Sequence, residues 1–378
     1  MPGIVRSLTK RIIIFCNIAV SLCMLLLYVL PYSNQNHFWF LNLLALAFPF
    51  LALMQLGFLL FWSIAKKKLT LIPVITLLLC FPLLKTIIGI SKKTKNIKEP
   101  HFTVATWNAH LFDFYEHDGH LSNEMLQKAK DLAANVLMVQ ELVFSLDSNS
   151  SMSINNVKKK LGYKYAVTGN DRRFGVHTDA GTREERYFPF CLGIFSNYPI
   201  IKWQKVQPLR EYNHTFIWAD MKVGKDTIRF FNIHLQSMHF VKQDYDFIEN
   251  IDNQDIDEVK RTGKTLIRKM KNANLLRAMQ MNAVKEEVLK SPHPVILCGD
   301  FNDVPNSYAY ESISDVLKDT HVKKGYGIGR TFQKLSPTLR IDYIFCSRSL
   351  KPLHNSVVTP SMSDHRPVKA AFSFPSAD

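Results

Sequence analysis

Nine polar side chains interrupt or end runs that otherwise read as apolar strands. Asn108 follows "TVATW" and Glu141 follows "VLMVQ". Asn232 and His234 follow "IRFF", and Asp300 and Asn302 stand in "VILCGDFND". Asp342 sits inside "RIDYIF", and Asp364 and His365 are neighbours in "SDHRPV". Asparagine and aspartate at a strand end ordinarily cap a turn, and most of these positions have that plain reading. Asp342 does not, because Ile341 and Tyr343–Phe345 flank it and predict burial. A buried carboxylate needs a partner or a metal. His365 is the expected partner: an aspartate can fix the tautomer and orientation of a histidine that acts on water.

The set combines carboxylates, amides and imidazoles and contains no cysteine. Oxygen-rich donors suit a hard cation such as Mg2+ or Mn2+. Such an ion polarises a phosphoryl oxygen and stabilises a leaving group, while imidazole and amide groups can contact the other phosphoryl oxygens. The chemistry expected is hydrolysis of a phosphodiester or phosphomonoester. The cysteines point nowhere else. Cys16, Cys23 and Cys80 lie in apolar runs, Cys191, Cys298 and Cys346 lie in strand-like runs, and no Cys/His spacing suits zinc.

The elements that would position these residues begin at Phe102. Short β-rich runs alternate with polar stretches, and "HTFIWADMKV" and "TIRFFNIHL" flank a Gly224-Lys225-Asp226 turn, a hairpin signal. Apolar spacing predicts helices over Glu124–Ala134 and Thr265–Leu289, and an exposed loop over Gln243–Glu258. Many strands and few helices predict an α+β sandwich.

The first hundred residues differ in kind. Of the 378 residues they carry eleven Lys/Arg against one acid, Glu99, so ten of the fifteen net positive charges sit there. The basic excess therefore gives no nucleic-acid face to the larger domain. Apolar runs near 12–30, 38–65 and 69–90 approach or exceed the roughly 20 residues that cross a bilayer, giving about three transmembrane helices, a basic linker at 91–100 and a catalytic domain at 101–378. Lysine and arginine favour the cytoplasmic side. Arg6, Lys10, Arg11 and Lys66–Lys68 fit that side, and three spans then put the larger domain outside, in the periplasm or at the surface of a bacterial inner membrane. Lys92, Lys93, Lys95 and Lys98 also flank the third run and oppose that orientation; if that run only lies in the interface, the larger domain is cytoplasmic.

"TWNAHLF", "VQEL", "FNIHLQS", "CGDFND", "RIDYIF" and "SDHRPV" occur in this order. Together they resemble the endonuclease/exonuclease/phosphatase family, also called DNase I-like, over roughly residues 101–375. The resemblance implies a four-layer α/β/β/α sandwich with its site at one end of the two sheets. It implies a metal site at Glu141, Asn108 and Asp364, and catalytic roles for His234, Asp300, Asn302, Asp342 and His365. Asn232, Asn302 and His234 are expected against the substrate. His110 stands where some members carry an acidic metal-site residue, and His234 is a tyrosine in the abasic-site endonucleases. The expected activity is a membrane-anchored, divalent-metal-dependent phosphoesterase, with nucleic acid, a lipid headgroup and a small phosphate ester as candidate substrates. The alternative is a non-catalytic binding or sensing domain on the same scaffold. No protein partner is readable.

Overall fold

A computed structural model describes residues 2–91, 97, 99–176, 186–207, 216–238, 240–253, 255–359 and 361–374. The linker lysines Lys92, Lys93, Lys95 and Lys98 lie outside them.

Two six-stranded sheets pack face to face. In spatial order the first contains Pro352–Val357, Val368–Ser373, His101–Asn108, Val136–Val143, Arg186–Ser196 and Tyr165–Val176. The second contains Lys318–Asp319, Asp342–Cys346, Val295–Asp300, Asp226–His234, Phe216–Val223 and Ile200–Val206. At the centre of each sheet two strands run parallel, His101–Asn108 with Val136–Val143 and Asp226–His234 with Val295–Asp300. The other pairings are antiparallel.

Strand side chains alternate between faces, and this parity builds the interior. Phe102, Val104, Val136, Met138, Ile228, Phe230, Ile296, Cys298 and Ile344 meet between the sheets in one apolar cluster. The outer face of the first sheet is covered by helices Asn123–Asp131 and Ile154–Leu161, and that of the second by Ile256–Leu289 and Tyr308–Ser314. This is the expected four-layer α/β/β/α sandwich. One local expectation fails: most of the described residues between 243 and 258, expected as an exposed loop, are helical. Lys242–Glu249 is a helix, closed by Asp244 accepting from the Val241 N–H at 2.8 Å, and the long helix begins at Ile256.

Two helices are long and apolar enough to cross a membrane: Leu41–Ala65, and Pro2–Leu26 with its 3-10 extension to Tyr32. The third run is broken. Lys67–Leu79 and Phe81–Ile87 meet at a 60° bend, where Pro82 removes a backbone donor and favours a fresh helix start. A buried polar chain ties the three together. Asn17 donates to Gln55 (3.0 Å), Gln55 to Ser21 (2.8 Å), and Thr76 to Ser21 (2.9 Å). Interhelical hydrogen bonds of this kind hold helices together where lipid offers no hydrophobic drive.

These helices dock against the sandwich. Met24, Leu27, Ala45, Phe48 and Leu83 share one apolar cluster with Val304, Phe332, Leu339 and Ile341. Polar contacts cross the same seam. The Tyr308 N–H donates to Asn42 Oδ1 (2.9 Å), Thr86 Oγ1 to Asn306 Oδ1 (2.6 Å), and Arg340 to the Thr86 carbonyl (2.6 Å). Gly89–Ile90 then pairs with Tyr326–Gly327 as a two-stranded ribbon.

Candidate active site

The strand parity that fills the core also delivers the site. Continuing each inward-facing row towards one end of the sandwich, the apolar rungs give way to two polar ones. The first comprises Thr106, Gln140 and Asn232, and the second Asn108, His234, Asp300 and Asp342. Sheet register sets the second rung. Asp300 is the direct partner of His234 on one side and of Asp342 on the other.

Asp300 is the hub. Its Oδ2 accepts from Asn108 Nδ2 at 3.0 Å and lies 3.7 Å from Nε2 of both His234 and His365. Its Oδ1 accepts from the Asn302 N–H at 2.8 Å. Gly299 precedes it at φ +149°, and a Cβ there would stand 1.9 Å from the Ile233 carbonyl oxygen. Only glycine lets the neighbouring strand approach this closely.

Glu141 arrives by a different route. The register between Val136–Val143 and Arg186–Ser196 slips between Val139 and Leu142, so one extra residue bulges out, and Glu141 takes φ +54°. A bulge re-aims a side chain, and positive φ costs a non-glycine residue about 1–2 kcal/mol. Glu141 Oε1 thereby reaches Asn108 Nδ2 (3.1 Å) and stands 3.9 Å from His234 Nε2.

The "SDHRPV" segment leads into the strand Val368–Ser373 and splits its two functional groups. His365 Nδ1 lies 3.0 Å from Asp342 Oδ2, the expected pair. Its backbone is pinned by Trp107 Nε1 donating to its carbonyl (3.1 Å) and by its N–H donating to Ser363 Oγ (3.1 Å), and Phe332 packs on the ring. Burial alone would hold the imidazole neutral. The Asp342 and Asp300 carboxylates outweigh it and push its pKa up to about 10. Asp364 lies beside Lys334 (3.2 Å). Burial acts to raise its pKa but is overridden by His365, His110 and Lys334, and the carboxyl is held below its ordinary range.

Asn108, Glu141, His234, Asp300, Asn302, Asp364 and His365 line one cavity of about 720 Å3. Asp342 stands behind His365. Asn232 does not reach this surface, against expectation. It is one rung deeper and fully buried, accepting from Gln140 (2.6 Å) and donating to the carbonyls of Val139 (3.0 Å) and Gly193 (2.9 Å). Its amide bridges the two sheets, so the substrate contact assigned to it is withdrawn. His110 is exposed, 3.9 Å from Asp113.

Sequence reasoning missed Arg277. It is 1% exposed, donates to the Asn302 carbonyl (2.5 Å) and pairs with Asp303 (3.3 Å), fixing the loop after Asp300 from the long helix. The signal was present: Leu266, Met270, Ala273, Arg277 and Met281 form one helical stripe, and an arginine among apolar residues needs a buried partner.

The donor set fits a hard cation. Glu141, Asp300 and Asp364 supply carboxylate oxygens and Asn108 an amide to the lining of one cavity, with no thiol among its described lining residues. Among the described residues, the one trio whose possible ligand atoms all lie within 4.8 Å of one another is Asp300, Asp342 and His365. A metal on that trio would take the oxygen that Asp342 gives to His365, so the Glu141 side is the better seat.

Fold and floor define the class, a two-sheet sandwich of the kind seen in phosphate-ester hydrolases. Residues 105–365 match the Endonuclease/Exonuclease/phosphatase family, and the chain belongs to it. Its members include nucleases, phosphatases and phosphodiesterases, and they generally use divalent metals. Residues 10–87 match a second family, described as a domain of unknown function. A similar solved structure is an endonuclease/exonuclease/phosphatase from Beutenbergia cavernae, 18% identical over 72% of each chain with a TM-score of 0.52. A family protein from Bacteroides thetaiotaomicron aligns over 73% of this chain and 96% of its own, at 18% identity and a TM-score of 0.49. A mannosyl-6-phosphatase from the same organism aligns over 72% of this chain and 100% of its own, at 20% and 0.46. Among curated proteins no sequence matches the chain.

Proposed function

We propose that the protein is a membrane-anchored, divalent-metal-dependent phosphoesterase. The observation that carries this reading is the Asp300 hub, with two imidazole Nε2 atoms each 3.7 Å from one carboxylate oxygen at a cavity floor. Water adds to phosphorus, the P–O ester bond breaks, and the departing oxygen takes up a proton. Asp300 and Asn302 orient the water, with Asp300 accepting its proton. His234 and His365 direct Nε2 at the phosphoryl oxygens, where charge accumulates. Asp342 holds His365 in place through Nδ1. Glu141, Asn108 and Asp364 would hold Mg2+ or Mn2+. When bound, such an ion polarises the phosphoryl group and stabilises the leaving oxygen.

Full-length protein in detergent should hydrolyse bis(p-nitrophenyl) phosphate with Mg2+ or Mn2+. EDTA should lower that rate by at least about 100-fold, and added metal should restore it. Turnover that survives chelation would defeat the metal-dependent mechanism.

The helix ends support an extracytoplasmic catalytic domain. The residues that touch the sandwich, Asn42, Leu83 and Thr86, lie at one end of the bundle, while Lys10 and Lys66 are neighbours at the other. Basic ends favour the cytoplasm. Alkaline phosphatase fused after Asp378 is expected to be active, and green fluorescent protein there dark. The converse pattern reverses the orientation.

A further inference from the structure

The cavity over the catalytic floor is not walled by the sandwich alone. Leu43, Leu46, Ala47 and Phe50 line it too, and they belong to the membrane-type helix Leu41–Ala65. The spacing i, i+3, i+4, i+7 puts them on one helical face. Facing them stand Phe240, Ile248, Leu266, Met270 and Leu335. The space is therefore amphiphilic, with a carboxylate–histidine floor at one end and two apolar walls leading away from it. The wall from Leu43 to Phe50 extends about 10 Å along the helix. Phe50 is 48% exposed at its end, and the exposed Leu53 and Met54 continue down the same helix, where a bilayer would cover them.

The rim has the chemistry of a membrane interface. Val241, Ile251, Ile256 and Ile267 are exposed apolar residues on the segments that carry Phe240, Ile248 and Leu266. Lys264, Arg268 and Lys271 are exposed along the same stretch of the long helix, which touches the membrane bundle where Asn274 reaches the Trp39 carbonyl (3.5 Å). Basic residues beside apolar ones suit an anionic lipid surface.

We propose that this cavity takes an amphiphilic phosphate ester from the bilayer, its phosphate on the His234–Asp300–His365 floor and an acyl chain between helix Leu41–Ala65 and the Phe240–Leu266 wall. This rests on the phosphoesterase reading above and names its substrate class. A tail passing from bilayer into this groove moves from one apolar surroundings to another. A polar substrate would leave the same walls wetted. Nucleic acid fits poorly. Among the described lining residues the one Lys or Arg is Arg277, held by Asn302, Asn274 and Asp303, whereas a nucleic-acid channel follows the phosphate backbone with basic side chains. The bond broken is the phosphate ester, by addition of water, and no oxidant or reductant is needed.

The test uses the full-length protein in mixed micelles with Mg2+. Phosphatidylglycerol and phosphatidic acid with sixteen-carbon chains are compared with their four-carbon-chain analogues, a single-stranded oligonucleotide and bis(p-nitrophenyl) phosphate. At least one long-chain lipid is expected to exceed its short-chain analogue in kcat/KM by about tenfold or more. Ala47→Trp, which fills the groove, should cut that ratio by about tenfold. Phe50→Ala, at the exposed mouth where truncation spares the core, should lower it by about threefold and keeps the test decisive if the tryptophan variant does not fold. Equal constants for long and short chains, a preference for the oligonucleotide, or a ratio untouched by the variants would overturn the proposal. Hydrolysis of bis(p-nitrophenyl) phosphate without chain preference removes only the lipid assignment. No turnover of any substrate removes the phosphoesterase reading itself.

Discussion

Asp300→Ala in the full-length protein is expected to lower metal-dependent phosphodiester turnover by about 1,000-fold or more. General-base action alone is worth about 100- to 10,000-fold, and this carboxylate also organises its surroundings. Asn302 and Asn108 both donate to it, at 2.8 and 3.0 Å, and both imidazole Nε2 atoms face its Oδ2. Truncation therefore removes the proposed proton acceptor and releases the Asn302 loop together. Unpaired buried donors cost about 1–3 kcal/mol each, so unfolding is followed in parallel. Asp300→Asn is the companion variant. It keeps the volume and loses the charge, and should be nearly as inactive while melting closer to the parent. A fall of less than tenfold in both variants would take Asp300 out of the chemistry.

Asp342→Asn is expected to lower kcat by about 100- to 10,000-fold with KM little changed, as when an aspartate behind a catalytic histidine is neutralised. Asp342 does not line the cavity over the floor, so the role proposed for it is that of a positioning residue. Its carboxylate receives Nδ1–H of His365 at 3.0 Å and heads the interactions that raise the pKa of the buried imidazole. An asparagine cannot supply that charge. The histidine is then expected to titrate lower in the variant, and the two-dimensional NMR signal of its ring should report this independently of rate. Wild-type kcat together with an unmoved ring titration would show the pair to be structural.

Much of this was legible before any coordinates, because a strand writes its two faces into alternate residues. Phe102, Val104, Thr106, Asn108 and Ile228, Phe230, Asn232, His234 each run from apolar to polar along one face, and the order of the six tags fixed the sandwich. The Asp342–His365 pair followed from burial of a charge. Three features were hidden. Glu141 reaches the floor through a bulge, a matter of register against Arg186–Ser196 that its own strand does not record. Asn232 shares the parity of His234 but sits one rung deeper, and depth depends on where the opposing sheet ends. The docking of the apolar helices was invisible for another reason. Hydropathy tells that a helix prefers lipid; it is silent about a seam made by Phe48 and Leu83 against Phe332 and Ile341.

That seam fixes more than shape. An enzyme on a slack tether would sweep a volume of solution and meet soluble molecules at their bulk concentration. With the helices clamped to the sandwich through Asn42, Thr86 and the Gly89–Ile90 ribbon, the proposed anchoring would keep the floor at one height above the bilayer. For the lipid substrate proposed above, encounters would then be set by lateral diffusion, and the rate should follow the mole fraction of substrate in the surface. Dilution with inert lipid should slow it, even when the amount of substrate in the tube is unchanged.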